Sequence, residues 1–135
     1  MIMTKLINTF DIVYQINTFD IDGVIYFGEE FTGVRPGEND VIITGRSYTQ
    51  REETETMLKS RGIYNTVMYN PISRDHESYS REESGRHKAR CIETLKETYD
   101  IGLHFEDDPV QIEEIKKVHS ELNVIHLVRE GLIGY

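Results

Sequence analysis

The sequence predicts an α/β domain of three-layer, Rossmann-like design, with a mainly parallel five-stranded sheet and helices on both faces. Two observations carry this. Five short runs rich in β-branched and aromatic residues read as strands, at residues 16–21, 41–44, 66–69, 103–105 and 124–128. Helical periodicity fills most of the intervals, at about residues 49–61, 83–99 and 109–122. Strands that alternate with helices need crossover connections, and crossovers give parallel pairing. A chain of 135 residues suits one such domain, with a core over about residues 16–128, and is too short for two.

The elements have local reasons to begin and end where they do. Ile-Asn-Thr-Phe-Asp-Ile occurs twice, at 7–12 and 16–21, and only the second copy runs on into Asp22-Gly23. The second copy is therefore read as the first strand. For residues 1–15 two readings stand: an extra edge strand, or a local duplication without a folded role. Gly28, Gly33, Pro36 and Gly37 mark residues 28–38 as a short flap or hairpin. Thr49 and Glu52 have capping-box spacing for the first helix, and Gly62 is placed to stop it with a positive φ. Residues 70–86 are polar, carry Pro71 and several serines, and read as a long exposed loop. Ala89, Ile92, Leu95 and Tyr99 recur at three- and four-residue intervals and mark the buried stripe of the second helix. Asp108 before Pro109 gives the third helix an N-cap and a proline at its first position.

Composition excludes several functions. Twenty-four acidic against 15 basic residues give a net charge of −9, which repels a polyanion unless a local basic patch overrides it. The single cysteine, Cys91, forms no internal disulfide and is read as a small core residue; one thiol builds no metal cage. His76, His87, His104, His119 and His126 lack zinc-ligand spacing. No apolar run reaches the roughly 20 residues of a membrane span, and Met1 onward has no signal-peptide pattern. These features lead to the expectation of a soluble cytoplasmic protein.

Chemistry gathers at predicted strand ends. In Phe19-Asp20-Ile21-Asp22-Gly23, two carboxylates spaced two apart lie where an apolar strand meets a glycine turn, at the edge where open α/β sheets bind ligands. Val41-Ile42-Ile43 ends in Thr44-Gly45-Arg46, which offers a hydroxyl, backbone N–H groups and a nearby helix N-terminus to a phosphate. Leu103-His104-Phe105 runs into Glu106-Asp107-Asp108, whose crowded charges call for a cation such as Mg²⁺. Lys88 stands near a helix N-terminus, an unfavourable place for a cation unless it has another task.

In this order the pieces resemble the haloacid dehalogenase-like (HAD) superfamily of phosphohydrolases, over about residues 16–128. The first motif, Asp-x-Asp-Gly after an apolar strand, is Asp20 to Gly23. The second is Thr44 after its strand, the third Lys88, and the fourth the acids after Phe105. Response-regulator receiver domains use a similar set but place paired acids at the first strand, whereas Asp107-Asp108 come last here. The resemblance implies Asp20 as the nucleophile that forms an aspartyl-phosphate and Asp22 as the general acid/base. It further implies Thr44 and Lys88 as partners of the phosphoryl group, and Mg²⁺ held by Asp20, the Asp22 carbonyl, Asp107 and Asp108. Glu106 stands where many members have glycine, so the choice among Glu106, Asp107 and Asp108 is open, with Asp107 favoured; Arg86 or Arg90 is the alternative to Lys88.

No room is left for the cap domain that many members carry, and an open site admits bulky phosphoesters. Gly45, Arg46 and Arg86 are candidate substrate contacts, and Arg46, Arg74, Arg81, Arg86 and Arg90 form a candidate basic rim. Tyr64, Tyr69 and Tyr79 are read as packing or as platforms for a base. A capless domain with Thr44-Gly45-Arg46, His87-Lys88 and Asp107-Asp108 is loosely similar to the 3′-phosphatase domain of polynucleotide kinase-phosphatases. The expected partner is a phosphorylated small molecule or nucleic-acid end. A non-catalytic phosphate- or partner-binding domain and a phosphotransferase are the alternatives.

Overall fold

The computed structural model describes residues 14–128. Strands β1 (Tyr14–Phe19), β2 (Val41–Ser47), β3 (Val67–Asn70), β4 (Tyr99–Glu106) and β5 (Asn123–His126) form one sheet. Helices α1 (Arg51–Ser60), α2 (Arg81–Leu95) and α3 (Pro109–Val118) link the last four strands in turn. Every neighbouring pair is parallel, in the order β3-β2-β1-β4-β5. The chain steps outward from β1 to β3, then returns to the far side of β1 for β4 and β5. That reversal leaves a crevice at the C-terminal ends of β1 and β4, where open α/β sheets hold their ligands. The Rossmann-like prediction holds, and no cap is inserted among the described residues.

Alternation along the strands splits the core between two faces. Val41 and Ile43 pack with Ile16, Ile92, Ile101 and Ile115, whereas Ile42 packs with Phe19, Ile21 and Leu58. Helices α2 and α3 therefore cover one face, while α1 and the turn after β1 cover the other. Phe19 and Phe105 stack on this second face with ring centroids 4.5 Å apart.

One irregularity in β4 decides where the site residues point. Ile16 pairs with Ile101, but Thr18 pairs with His104, so β4 carries one extra residue around Gly102 and Leu103. A strand without it would turn His104 and Glu106 to the Phe19 face. With it, both face α2. The Asn17 side chain accepts from the Leu103 amide at 2.9 Å and satisfies the bulge.

Several boundaries differ from the sequence reading. Ser47, not Thr49, is the first cap: its hydroxyl accepts from the Thr49 amide at 3.1 Å and the Gln50 side chain accepts from the Ser47 amide at 3.0 Å. This box starts a short 3-10 turn, Tyr48–Gln50, that runs into α1. Gly62, with φ of 75°, ends the helix as expected. Helix α2 begins at Arg81 because Ser80 accepts from the Glu83 amide at 3.0 Å, which confines the irregular loop to residues 71–80. It ends at Leu95, and Tyr99 opens β4 by pairing with Tyr14. Residues 28–38 do form a flap, closed by a Tyr26–Thr32 bridge. The first copy of the duplicated hexapeptide lies outside the described residues.

Candidate active site

Phe19 ends β1, but the Asp20 amide still donates to the Phe105 carbonyl at 3.1 Å, which fixes the residue at the sheet's edge. Its Oδ1 accepts from the Ile21 amide at 2.8 Å and from Lys88 Nζ at 3.1 Å. Lys88 reaches it from α2 across the sheet end and also donates to Glu106 Oε1 at 2.8 Å. All three side chains are buried: Asp20 is 6%, Lys88 1% and Glu106 0% exposed. Behind Glu106 stands His104, whose Nε2 lies 3.1 Å from Glu106 Oε1 and whose Nδ1 lies 2.8 Å from the Thr18 hydroxyl.

Asp107 follows Glu106 and folds over Gly23. A Cβ at Gly23 would meet the Asp107 side chain, and the backbone there has φ of 83°, a conformation that favours glycine. Carboxylate oxygens of Asp20, Glu106 and Asp107 lie within 4.8 Å of one another. An octahedral Mg²⁺ with ligands at about 2.1 Å fits such a set after a small contraction.

The electrostatics show a surplus of negative charge. Burial, then the Glu106 carboxylate, holds the Asp20 carboxyl well above the usual range despite Lys88. Burial, then Asp20, pushes the Asp107 carboxyl up to about 6. Desolvation acts to lower the Lys88 pKa, but Asp20 and Glu106 outweigh it, and the ammonium is held charged. Three carboxylates thus share one cation. Glu106 Oε2 is buried and has no hydrogen-bond partner among the described residues. An all-oxygen, acid-rich set with an orphaned carboxylate oxygen suits a hard divalent cation.

An open cleft of about 420 Å³ lies over these groups, lined by Asp20, Asp22, Arg46, Arg81, Lys88 and Asp107 among others. Asp22 meets Arg46 through both oxygens, at 2.8 and 2.9 Å, and Arg46 also donates to Thr54 at 3.1 Å. Gly45 and Arg74 line the cleft as well. A slightly larger cleft, about 470 Å³, opens at the opposite ends of the strands beside Tyr14, Asp40 and Tyr64. It lies far from the Asp20 cluster in the topology and contains no clustered set of metal-ligating side chains among the described residues.

The fold thus brings Asp20, Lys88 and Asp107 together, with Asp22, Gly45 and Arg46 at the rim. Of the other expected participants, Asp108 also lines the cleft but is otherwise engaged, and Thr44 and Arg86 do not line it. Thr44 is fully buried; its hydroxyl accepts from the Arg46 amide at 3.0 Å and its carbonyl lies 3.1 Å from His87 Nε2. Arg86 lies 3.7 Å from Glu114, outside the cleft lining. Asp108 is engaged by Arg81 through both oxygens at 2.7 and 2.9 Å, and it caps α3 by accepting from the Val110 amide at 2.9 Å. That Arg81 hydrogen bond is the largest influence on its carboxyl and holds it below the usual range. Glu106, left open in the sequence, occupies the place in the cluster that Asp108 does not. The supporting pair Thr18 and His104 was missed, although i, i+2 spacing of His104 and Glu106 on one strand face is a legible signal.

No protein-family model and no curated protein matches the sequence. The fold is similar to that of a chain in a solved structure described as the Pnkp1/Rnl/Hen1 complex. That match has a TM-score of 0.61 at 12% identity and covers 86% of this chain. It spans 46% of the other chain, so the likeness concerns less than half of that protein.

Proposed function

We propose that this chain is a Mg²⁺-dependent phosphomonoester hydrolase of the haloacid dehalogenase type, acting through a phosphoryl group carried on Asp20. The observation that supports it most is the buried contact of Asp20 with Lys88 at 3.1 Å, beside Asp107, at the C-terminal edge of the sheet. Asp20 and Asp107, with the Asp22 backbone carbonyl, would hold Mg²⁺, which lowers the repulsion between the nucleophile and an anionic substrate.

Lys88 and the Ile21 amide hold Oδ1 of Asp20, leaving Oδ2 to attack phosphorus. As the new O–P bond forms, the bond to the leaving oxygen breaks and Asp22 gives that oxygen a proton. Water then attacks the same phosphorus; Asp22 takes its proton, the bond to Asp20 breaks, and inorganic phosphate leaves. Asp22 must exchange its two contacts with Arg46 for the substrate before it can do this. The Thr44 hydroxyl accepts from the Arg46 amide and is fully buried, so it would donate to a phosphoryl oxygen only once the Thr44–Arg46 turn shifts to admit the substrate. Lys88 neutralises charge as it builds on the phosphoryl group.

The open cleft and the arginines around it, Arg46, Arg74 and Arg81, favour a bulky substrate. A phosphorylated nucleic-acid end is the finer reading, consistent with the likeness to a chain of the Pnkp1/Rnl/Hen1 complex. The test compares an aryl phosphate with a 3′-phosphorylated oligonucleotide, each with Mg²⁺ and with EDTA. Release of phosphate only with Mg²⁺, and its loss in Asp20→Asn, supports the proposal. An inert wild-type protein across both substrates would leave a binding domain as the better reading.

A further inference from the structure

The face of α2 that borders the cleft carries Arg81, Ser84 and Lys88, spaced so that they follow one another along one side of the helix. Arg81 is held by Asp108, and Lys88 by Asp20 and Glu106. The Ser84 hydroxyl has no hydrogen-bond partner among the described residues. Its amide donates to the Ser80 carbonyl at 2.9 Å, which fixes the backbone, and only 3% of the residue is exposed. A polar group buried without a partner costs about 1–3 kcal/mol, so native structures rarely keep one idle.

The surroundings turn this hydroxyl toward the cleft. A Cβ built on Gly45 would lie 3.1 Å from Ser84 Oγ, so the bare glycine leaves the oxygen uncovered where the two residues share the cleft wall. Thr44 offers the opposite case: its hydroxyl is fully buried and already accepts from the Arg46 amide. Lys88, which contacts Asp20 at 3.1 Å, lies four residues beyond Ser84, and side chains so spaced are neighbours on a helix surface.

From this geometry we infer that Ser84 is a further catalytic residue, its Oγ–H donating to a non-bridging oxygen of the phosphoryl group transferred to Asp20. The inference rests on the reaction proposed above and adds a donor to it. The hydroxyl keeps its proton throughout, and no bond to Oγ forms or breaks. Lys88 supplies charge and Ser84 supplies direction, both from one rigid helix and both in place before substrate arrives. Ser84 does this without any shift of the Thr44–Arg46 turn.

The test compares Ser84→Ala with the wild type in Mg²⁺-dependent hydrolysis of an aryl phosphate. Inhibition by orthovanadate, whose five-coordinate form mimics the transferring phosphoryl group, is measured beside it. In the variant kcat is expected to fall by about 100-fold with KM little changed, the scale of loss when one such donor is removed. The vanadate inhibition constant should rise by a similar factor, while calorimetric Mn²⁺ affinity and the melting temperature stay at wild-type values. Wild-type kcat and vanadate inhibition in the variant overturn the assignment and leave the Asp20 reading standing. So does a loss of kcat that comes with weaker Mn²⁺ binding, a lower melting temperature or unchanged vanadate inhibition, each the mark of a structural role. No Mg²⁺-dependent turnover by the wild type overturns both.

Discussion

Lys88 donates to Asp20 at 3.1 Å from within the protein interior, so the nucleophile proposed here is also one half of a buried ion pair. Stability and reactivity are consequently drawn from one contact. Removing the lysine strands two carboxylates, Asp20 and Glu106, away from water. Lys88→Met should destabilise the fold by about 3–5 kcal/mol, as other broken buried pairs do. Adding Glu106→Gln to that variant should recover part of the loss, because it removes one of the stranded charges. Urea denaturation of the single and double variants measures both effects.

Asp20→Asn tests the other half. It removes one of three crowded carboxylates, so the metal-free protein should be as stable as the wild type or more so in a thermal melt. Turnover of an aryl phosphate should fall by about 10⁴-fold or more, the scale of loss when a nucleophile is deleted from other hydrolases. Lost activity together with a lower melting temperature in EDTA would argue that Asp20 is structural.

Neighbouring acids should separate cleanly. Asp108→Ala removes the N-cap of α3 and the partner of Arg81, and should cost about 1 kcal/mol with cation binding unchanged. Asp107→Ala should do the reverse, lowering Mn²⁺ affinity with little cost in EDTA. Paired denaturation and calorimetry of the two variants read the contrast. Weakened cation binding in Asp108→Ala would restore the ligand role that the sequence motif suggested.

His87 gives a pH dependence whose main cause is burial, with Glu83 and Lys88 acting on it in opposite directions. Burial lowers its pKa to about 4, and its ring lies 3.1 Å from the Thr44 carbonyl, to which a neutral Nε2–H donates. Between pH 6.5 and 4 the unfolded chain binds a proton at this position and the native one does not, so the contribution is present above pH 6.5 and is lost as pH falls through that window. The full effect is about 3 kcal/mol. His87→Gln can still donate to Thr44 but does not titrate. Its stability relative to wild type should therefore rise as pH falls from 6.5 to 4. A constant difference between the two proteins would show that His87 keeps an ordinary pKa.

Much of the domain was readable because the signals are local. The five apolar runs and the Asp108-Pro109 cap each depend on a few adjacent residues, and all reappear in the structure. Tyr99 was misread because it continues the helical stripe of Ala89, Ile92 and Leu95, while pairing with Tyr14 across the sheet claims it for β4. Thr49 lost the cap to Ser47 because a short 3-10 turn precedes α1. At the site, residue type revealed Asp20 and Lys88, but it could not rank Glu106, Asp107 and Asp108. Those three consecutive acids diverge at a strand-to-helix junction, and which one faces Lys88 depends on the single extra residue near Gly102. That phase shift is a relation between β1 and β4, invisible in either strand alone.

The claim on which the account depends is that phosphoryl transfer passes through Asp20. Acid-quenched turnover of a phosphomonoester with Mg²⁺, followed by mass spectrometry of the proteolysed chain, tests it most directly. The account predicts a phosphoryl group on Asp20 in the wild type, absent with EDTA and absent from Asp20→Asn. Sustained phosphate release by Asp20→Asn, or turnover by a wild-type chain phosphorylated at another residue, would contradict it.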